Sequence, residues 1–246
     1  MSTTTIRVLG PPTIVRDGRA TVITGLRHQA VLTVLALEVG RPMDAESLIG
    51  AVWGGDAPPS ARKTLQGLVR RLRRQLPPGA ILTEGSSYRL DLPSASVDAV
   101  AFSELVDAAK AVPPAAALER LERALGLWRG VPFAELTSGR FTVERAYLDE
   151  RRLVAEEDRC EALLTVGRVA EAAIELERLS GEEPGRERRW ALLMTAFCRV
   201  DRQADALRAY QRARDGLVRQ VAVEPGAPPP VLDGASLQNR PELMAS

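Results

Sequence analysis

Aromatic residues make up only 4% of this 246-residue chain, so any core must be built mainly from Leu, Val and Ala, a composition that favours helices. Histidine is scarcer still. His28 stands alone, and a Ser/His/Asp or Cys/His site would have to be assembled around it. Beside Arg27 at the expected start of a helix, it reads instead as a surface or phosphate-touching residue. Cys160 and Cys198 fall in no Cys-x-x-Cys or Cys/His spacing, which excludes a zinc site and a disulfide framework and leaves two reduced, mostly buried helix cysteines. No Gly-rich phosphate loop ending in Lys-Ser or Lys-Thr is present. No cationic start leads into an apolar signal core, and the longest apolar run, residues 30–39, is too short for a membrane span and contains Glu38. These absences set aside an enzyme, a metal site, a cofactor and a membrane protein. The expectation is a cytoplasmic, nucleoid-associated protein.

What is present is unevenly distributed. The net charge is +1, but residues 1–92 hold 12 Lys+Arg against 7 Asp+Glu, and residues 93–246 hold 21 against 25. A basic first part and an acidic second part imply different partners, nucleic acid for one and protein for the other.

The chain opens on short apolar segments, residues 6–9 and 13–16, around Gly10-Pro11-Pro12. The hairpin dipeptide Asp17-Gly18 then leads into residues 21–23, so a small antiparallel sheet is expected. A helical pattern over 27–39 stops at Gly40, and Asp44 is positioned to cap a second helix with Leu48, Ile49, Val52 and Trp53 on its apolar face. Gly54-Gly55-Asp56-Ala57-Pro58-Pro59 breaks the chain before a third helix over 60–76. Residues 81–84 and 88–92 flank Gly85-Ser86-Ser87 as a second hairpin. Strands, three helices and a hairpin in some ninety residues is the plan of a winged helix-turn-helix, here residues 1–92. A short linker follows, then a helical stretch over 97–226, then a polar, Pro-containing tail (227–246) expected to be flexible. The fold class expected is mainly α with a small β component.

The third helix carries the strongest signal. At 100° per residue, Leu65, Leu68, Val69, Leu72 and Leu76 share one face, while Lys63, Gln66, Gly67, Arg70 and Arg74 lie opposite, flanked by Arg62, Arg71 and Arg73. No acid lies between Ser60 and Leu76. The helix forgoes the i,i+4 ion pairs that ordinary surface helices gain, and a phosphate lattice relieves its self-repulsion. Arg contacts guanine edges bidentately, Gln66 suits adenine, and Gly67 lets the axis approach the bases.

A repeat runs through the helical part. From Trp190, the residues Leu193, Phe197, Ala206, Tyr210 and Ala213 follow the tetratricopeptide pattern. A 34-residue offset sets Leu163 against Phe197, Ala172 against Ala206 and Leu176 against Tyr210, with Pro184 closing the earlier unit. A weaker unit surrounds Ala117, Leu121 and Ala124.

Taken in order, Val8-Leu9-Gly10-Pro11, Ala51-Val52-Trp53-Gly54, Pro58-Pro59-Ser60-Ala61, Thr64-Leu65-Gln66, Arg71-Leu72-Arg73-Arg74 and Ser87-Tyr88-Arg89-Leu90 resemble the Streptomyces antibiotic regulatory proteins, the SARP group. Leu127-Trp128-Arg129-Gly130, Gly167-Arg168, Arg202-Gln203-Ala204 and Val223-Glu224-Pro225-Gly226 are similar to its bacterial transcriptional activation domain. The resemblance covers residues 6–226. It implies an OmpR-type reader and a transcriptional activator that binds double-stranded promoter DNA, two protomers on direct repeats near the −35 element. It implies recruitment of RNA polymerase through its sigma factor, alpha C-terminal domain and beta subunit, at a secondary-metabolite (antibiotic) gene cluster. The DNA-contacting residues expected on this reading are Arg27, Arg62, Lys63, Thr64, Gln66, Gly67, Arg70, Arg71, Arg73, Arg74, Ser87, Tyr88 and Arg89. Those expected to contact polymerase are Gly55, Asp56, Ala57, Pro58 and Pro59. No receiver domain precedes the reader and no nucleotide-binding module follows, so a small stand-alone member is expected. Two alternatives stay open: a tetratricopeptide-like interaction scaffold, and a DNA-binding repressor. The carboxylates Asp149-Glu150 and Glu156-Glu157-Asp158 read as solvated partners of neighbouring arginines rather than a catalytic pair.

Overall fold

The computed structural model describes residues 4–221, with side chains through Gly216. The expected tail and the Val223-Glu224-Pro225-Gly226 element lie outside the described residues. The chain is mainly helical with a small β component and divides into two compact units: Met1–Ala111 with Glu119–Ala155, and Val112–Leu118 with Glu156–Ser246.

The first unit begins with strands β1 (Thr4–Arg7), β2 (Thr13–Arg16) and β3 (Arg19–Val22), paired antiparallel in that order. The β2–β3 turn needs two residues with positive φ, and Asp17 (50°) and Gly18 (78°) supply them, as expected of a tight hairpin. Helix α1 (Leu26–Leu37) follows. Every residue from His28 to Ala36 is buried, which explains why its sequence shows no clean polar face: a helix covered on all sides has nothing to keep wet. The two-residue strand β4 (Met43–Asp44) has no sequence signature and was not anticipated. It pairs with β6 (Ser87–Leu90), which also pairs with β5 (Ile81–Glu84). Helix α2 (Ala45–Trp53) is capped as expected, the Asp44 carboxylate accepting from the Ser47 amide at 2.9 Å. Helix α3 (Ala61–Gln75) buries Leu65, Val69 and Leu72, as its periodicity predicts.

The same unit continues into α4 (Asp98–Ala109), part of α5 (Pro114–Leu125) and the first part of α6 (Gly139–Thr165). Ile6 bridges Val97 in parallel, the Arg129 amide donates to the Leu9 carbonyl at 2.8 Å, and the Phe133 amide donates to Gly10 at 3.0 Å. Gly10 (φ 146°) permits this approach: a Cβ there would stand 3.2 Å from that of Arg129. The scarce aromatics concentrate here, with Phe102 edge-on to Trp128 at 5.4 Å and Phe133 near Phe141 at 5.9 Å.

The second unit holds the end of α6 with α7 (Val169–Glu182), α8 (Glu187–Arg199) and α9 (Gln203–Val221). The positions paired by the 34-residue offset meet in one core. Leu163, Ala172, Leu176, Phe197 and Ala206 are buried together, and Tyr210 packs against them. The Trp190 indole donates to the Pro184 carbonyl at 2.9 Å, tying the closing proline to the next helix. Cys160 lies in this core, where burial pushes its thiol up to about 12, so it is an inert packing residue.

One expectation fails here. The carboxylates at 156–158 are not all solvated: Glu157 is buried and receives Arg186, Arg188 and Arg189. Arg189 is itself fully buried, reaching Glu156 at 3.0 Å, Glu157 at 3.3 Å and the Leu179 carbonyl at 2.9 Å. Charge density along one helix does not reveal which turn a later helix will cover.

Candidate nucleic-acid interface

Helix α3 turns its cationic side outward. Arg62, Lys63, Gln66, Gly67, Arg70, Arg71, Arg73 and Arg74 are exposed and Thr64 is half-buried. The first turn contains no acid, so Arg62 and Lys63 stand at the positive end of the helix dipole. Ser60 offers no side-chain cap either, and the Thr64 hydroxyl is spent on the Ser60 carbonyl at 3.1 Å. Arg73 and Arg74 at the other end complement the dipole. An anion near the first turn would satisfy free amides and remove a repulsion at once.

The structure divides the cations into two groups. Arg62 is paired with Glu46 of α2 at 2.7 Å. Arg73 turns toward the hairpin, donating to the Ile81 carbonyl at 3.0 Å and the Thr83 hydroxyl at 2.6 Å. Lys63, Arg70 and Arg74 have no carboxylate partner among the described residues, and neither has Arg71. These four are the cations available to an outside anion.

The hairpin contributes less than expected. Tyr88 is buried, its backbone paired with Met43 and Thr83, so the fold does not bring its ring to the surface with the α3 cations. Arg89 is half-buried and held by Glu84 at 2.7 Å and Asp91 at 3.2 Å. Ser87 is half-buried opposite Glu84 and Asp44. Strand alternation points neighbouring side chains to opposite faces, and run-of-sequence reading cannot say which face is covered.

Arg27, exposed at the start of α1, stacks over Trp53 at the end of α2 with its guanidinium carbon 5.4 Å from the ring. Its neighbour corrects an expectation: His28 is buried, at 4% exposure, rather than on the surface. Burial lowers its pKa, the nearby Arg71 lowers it further, and a hydrogen bond to the Thr24 backbone only partly compensates. The imidazole is therefore held neutral beneath the cationic helix.

Between α2 and α3, residues 54–60 are all exposed. Gly54 takes a φ of 63° to end α2, and the Ala61 amide donates to Pro58 at 2.8 Å as α3 begins. Asp56 makes no ion pair among the described residues.

Sequence reading missed Asp98. Its carboxylate accepts from the amides of Val8 at 2.7 Å and Leu9 at 3.1 Å, with Arg129 at 3.5 Å. The available signal was one acid inside the apolar run Val97-Asp98-Ala99-Val100-Ala101-Phe102.

A small sheet, three helices, a hairpin and an outward cationic helix, followed by paired helices with repeated packing positions, are the build of a bacterial transcriptional regulator. The bacterial transcriptional activator domain family matches residues 97–228, and the chain belongs to that family, in the SARP group with its OmpR-type reader. It is 35% identical over 223 residues to the regulatory protein AfsR of Streptomyces coelicolor, covering 89% of this chain and 22% of AfsR. With the regulatory protein DnrI of Streptomyces peucetius it shares 32% over 242 residues, covering 90% of this chain and 88% of DnrI. The structure of Mycobacterium tuberculosis EmbR in complex with a low-affinity phosphopeptide superposes with a TM-score of 0.88 at 29% identity, over 98% of this chain and 66% of EmbR. The chain thus spans about a fifth of AfsR and most of DnrI. Membership places this stretch of sequence among transcriptional regulators. No helix among the described residues is long and apolar enough to cross a membrane.

Proposed function

We propose that the chain is a sequence-specific DNA-binding transcriptional activator. In this reading residues 1–92 form a winged helix-turn-helix with α3 in the major groove, and residues 97–226 form the tetratricopeptide-like activation domain. Two protomers occupy direct repeats near the −35 element of a secondary-metabolite promoter and recruit RNA polymerase through its sigma factor, alpha C-terminal domain and beta subunit. Gly55, Asp56, Ala57, Pro58 and Pro59 contact polymerase. The observation that carries the reading is the acid-free outer face of α3, where Lys63, Arg70, Arg71 and Arg74 have no carboxylate partner among the described residues, which are otherwise rich in ion pairs. A scaffold has no use for a solvent face that repels itself; a phosphate lattice does.

The roles divide by geometry. Arg70, with Gln66 and Gly67 beside it, is assigned to base edges, while Lys63, Arg71 and Arg74 are assigned to phosphates. Arg62 joins them on release from Glu46, Ser87 supplies a hydroxyl at the margin, and Thr64 does so once its hydroxyl leaves the Ser60 carbonyl. Arg27 lies on the α1 side, and Arg73 and Arg89 are assigned supporting positions, since both already hold the hairpin.

The test begins with duplexes selected by the protein from a random-sequence library. Arg70→Ala and Gln66→Ala are expected to reduce discrimination against unselected DNA by roughly 1–3 kcal/mol each, the range for one base contact. Arg71→Ala is expected to weaken both duplexes alike. Equal losses on selected and random DNA for all three variants would remove α3 as a reader of bases.

A further inference from the structure

Residues 133–141 lie within the stretch matched by the activator-domain family, yet three of them reach α1 and α2, the two helices that precede the exposed loop at 54–60. Glu135 accepts from the Gln29 side-chain amide at 3.0 Å; Gln29 is buried in α1 and donates also to the Ile23 carbonyl at 3.0 Å. Arg140 pairs at 2.9 Å with Glu38, the C-cap of α1. The Ser138 hydroxyl donates to the Ala51 carbonyl at 3.4 Å. That bond is long, but its position matters. Ala51 belongs to the last turn of α2, whose final carbonyls have no partner inside the helix. Leu136 and Phe141 line a cleft of about 150 Å³ over the same turn, together with Leu26, Ala30 and Val52. Arg27 stacks over Trp53, the residue after Val52. The turn from which the loop departs is therefore held on several sides, while the loop itself is bare.

We infer that Glu135, Ser138 and Arg140 are positioning residues for the 54–60 loop: they hold α1 and the last turn of α2 so that the loop leaves in one direction. Its bearing on transcription rests on the reading of that loop as the polymerase contact. A loop with a fixed root loses less conformational freedom on docking than one whose root swings, so it binds its partner more tightly without a new contact. The DNA-facing helix packs on α1 and α2 as well, but away from the turn that Ser138 reaches. Helix α3 is seated through Leu65, Val69 and Leu72 on its own buried face, whereas Ser138 touches only the far end of α2.

The experiment uses the full chain with three measurements: hydrogen exchange over residues 51–60, affinity for the selected duplex, and transcription with purified polymerase. Ser138→Asp places a carboxylate against the Ala51 carbonyl at the negative end of α2. It is expected to speed exchange over 51–60 by about tenfold and lower transcription by about fivefold, with DNA affinity within about twofold of the parent. Ser138→Thr, which keeps the hydroxyl, is expected to behave as the parent. Should Ser138→Asp not fold, Glu135→Ala takes its place. A one-residue deletion within 54–60 is run alongside. If the deletion leaves transcription intact, the polymerase reading of the loop fails, and the exchange result still decides whether Ser138 holds the root. Unchanged exchange overturns the inference. So does an equal fall in affinity and transcription, which marks general damage. Faster exchange with full transcription, where the deletion abolishes it, overturns the link to activation.

Discussion

The amide of Val8 donates to Oδ1 of Asp98 at 2.7 Å, across 90 residues of chain, and the amide of Leu9 donates to Oδ2 at 3.1 Å. Strand β1 ends at Arg7, so these two amides have lost their strand partner just where the chain turns into the interior. Asp98, at the head of α4, supplies the missing acceptors. Burial pushes its pKa above the ordinary carboxylate value, while the two amides and Arg129 pull it back.

Removing that acceptor leaves two buried donors unpaired. Asp98→Ala is expected to lower unfolding stability by about 3 kcal/mol, since each stranded buried donor costs roughly 1–3 kcal/mol. Asp98→Asn, which keeps one acceptor oxygen, is expected to lose about half as much. Urea denaturation of both variants measures this. Losses below about 0.5 kcal/mol for Asp98→Ala would mean that water replaces the carboxylate at no cost.

The pairing of Arg62 with Glu46 makes the salt dependence of DNA binding adjustable. With three cations of α3 assigned to phosphates, Lys63, Arg71 and Arg74, log K against log salt is expected to fall with a slope of about −2.5 to −3 per protomer, roughly 0.9 per phosphate contact. Glu46→Ala releases Arg62 and is expected to steepen the slope by about one contact and tighten binding at low salt. An unchanged slope in this variant would show that Arg62 does not reach DNA.

His28 sets a pH dependence. Its folded pKa lies below the unfolded value near 6.5, first through burial and then through Arg71. The unfolded chain therefore binds more protons in the window below about pH 6.5, and stability falls as the pH drops through it. Denaturation midpoints between about pH 7.5 and 5 are expected to decline more steeply for the parent than for His28→Asn. Arg71→Ala removes one cause of the shift and is expected to flatten the decline. Parallel curves for parent and His28→Asn would assign the pH response to other groups.

Arg189 anchors the second unit through a buried charge. Arg189→Leu takes one of three arginines from the buried Glu157 and one of two donors from the Leu179 carbonyl, and is expected to cost about 1–3 kcal/mol by chemical denaturation, since each acceptor keeps a partner. Arg189→Lys is expected not to rescue, because one ammonium cannot reproduce the three directions of the guanidinium. Full recovery by Lys would show that only the charge matters.

Much of this molecule is local in origin, and those parts were legible. The Asp17-Gly18 turn, the Asp44 cap and the α3 stripe of Leu65, Val69 and Leu72 each depend on residues within a turn or two of one another. The 34-residue echo from Leu163 to Phe197 was legible for a related reason, since each repeat buries the same positions against its neighbour. The surface reading of His28 fails, and the burial of Tyr88 and the pairing of Arg89 were not legible, because exposure belongs to the assembled sheet and helices and nothing adjacent in sequence reports it.

The sequence by itself determined the order of the first sheet, the three helices and the hairpin, the helical nature of the rest, the cationic character of α3 and the family. Periodicity, caps and turn residues act over a few positions, and the ordered motifs survive without coordinates. Only the tertiary structure decided which of those cations are free. Arg62 is matched by Glu46, Arg73 by the hairpin backbone, and the loop root by Ser138, contacts that join distant parts of the chain, as Glu135 and Gln29 do across 106 residues. Such contacts exist only after apolar burial has brought the segments together, because loop closure is repaid by the packed core and not by any one hydrogen bond.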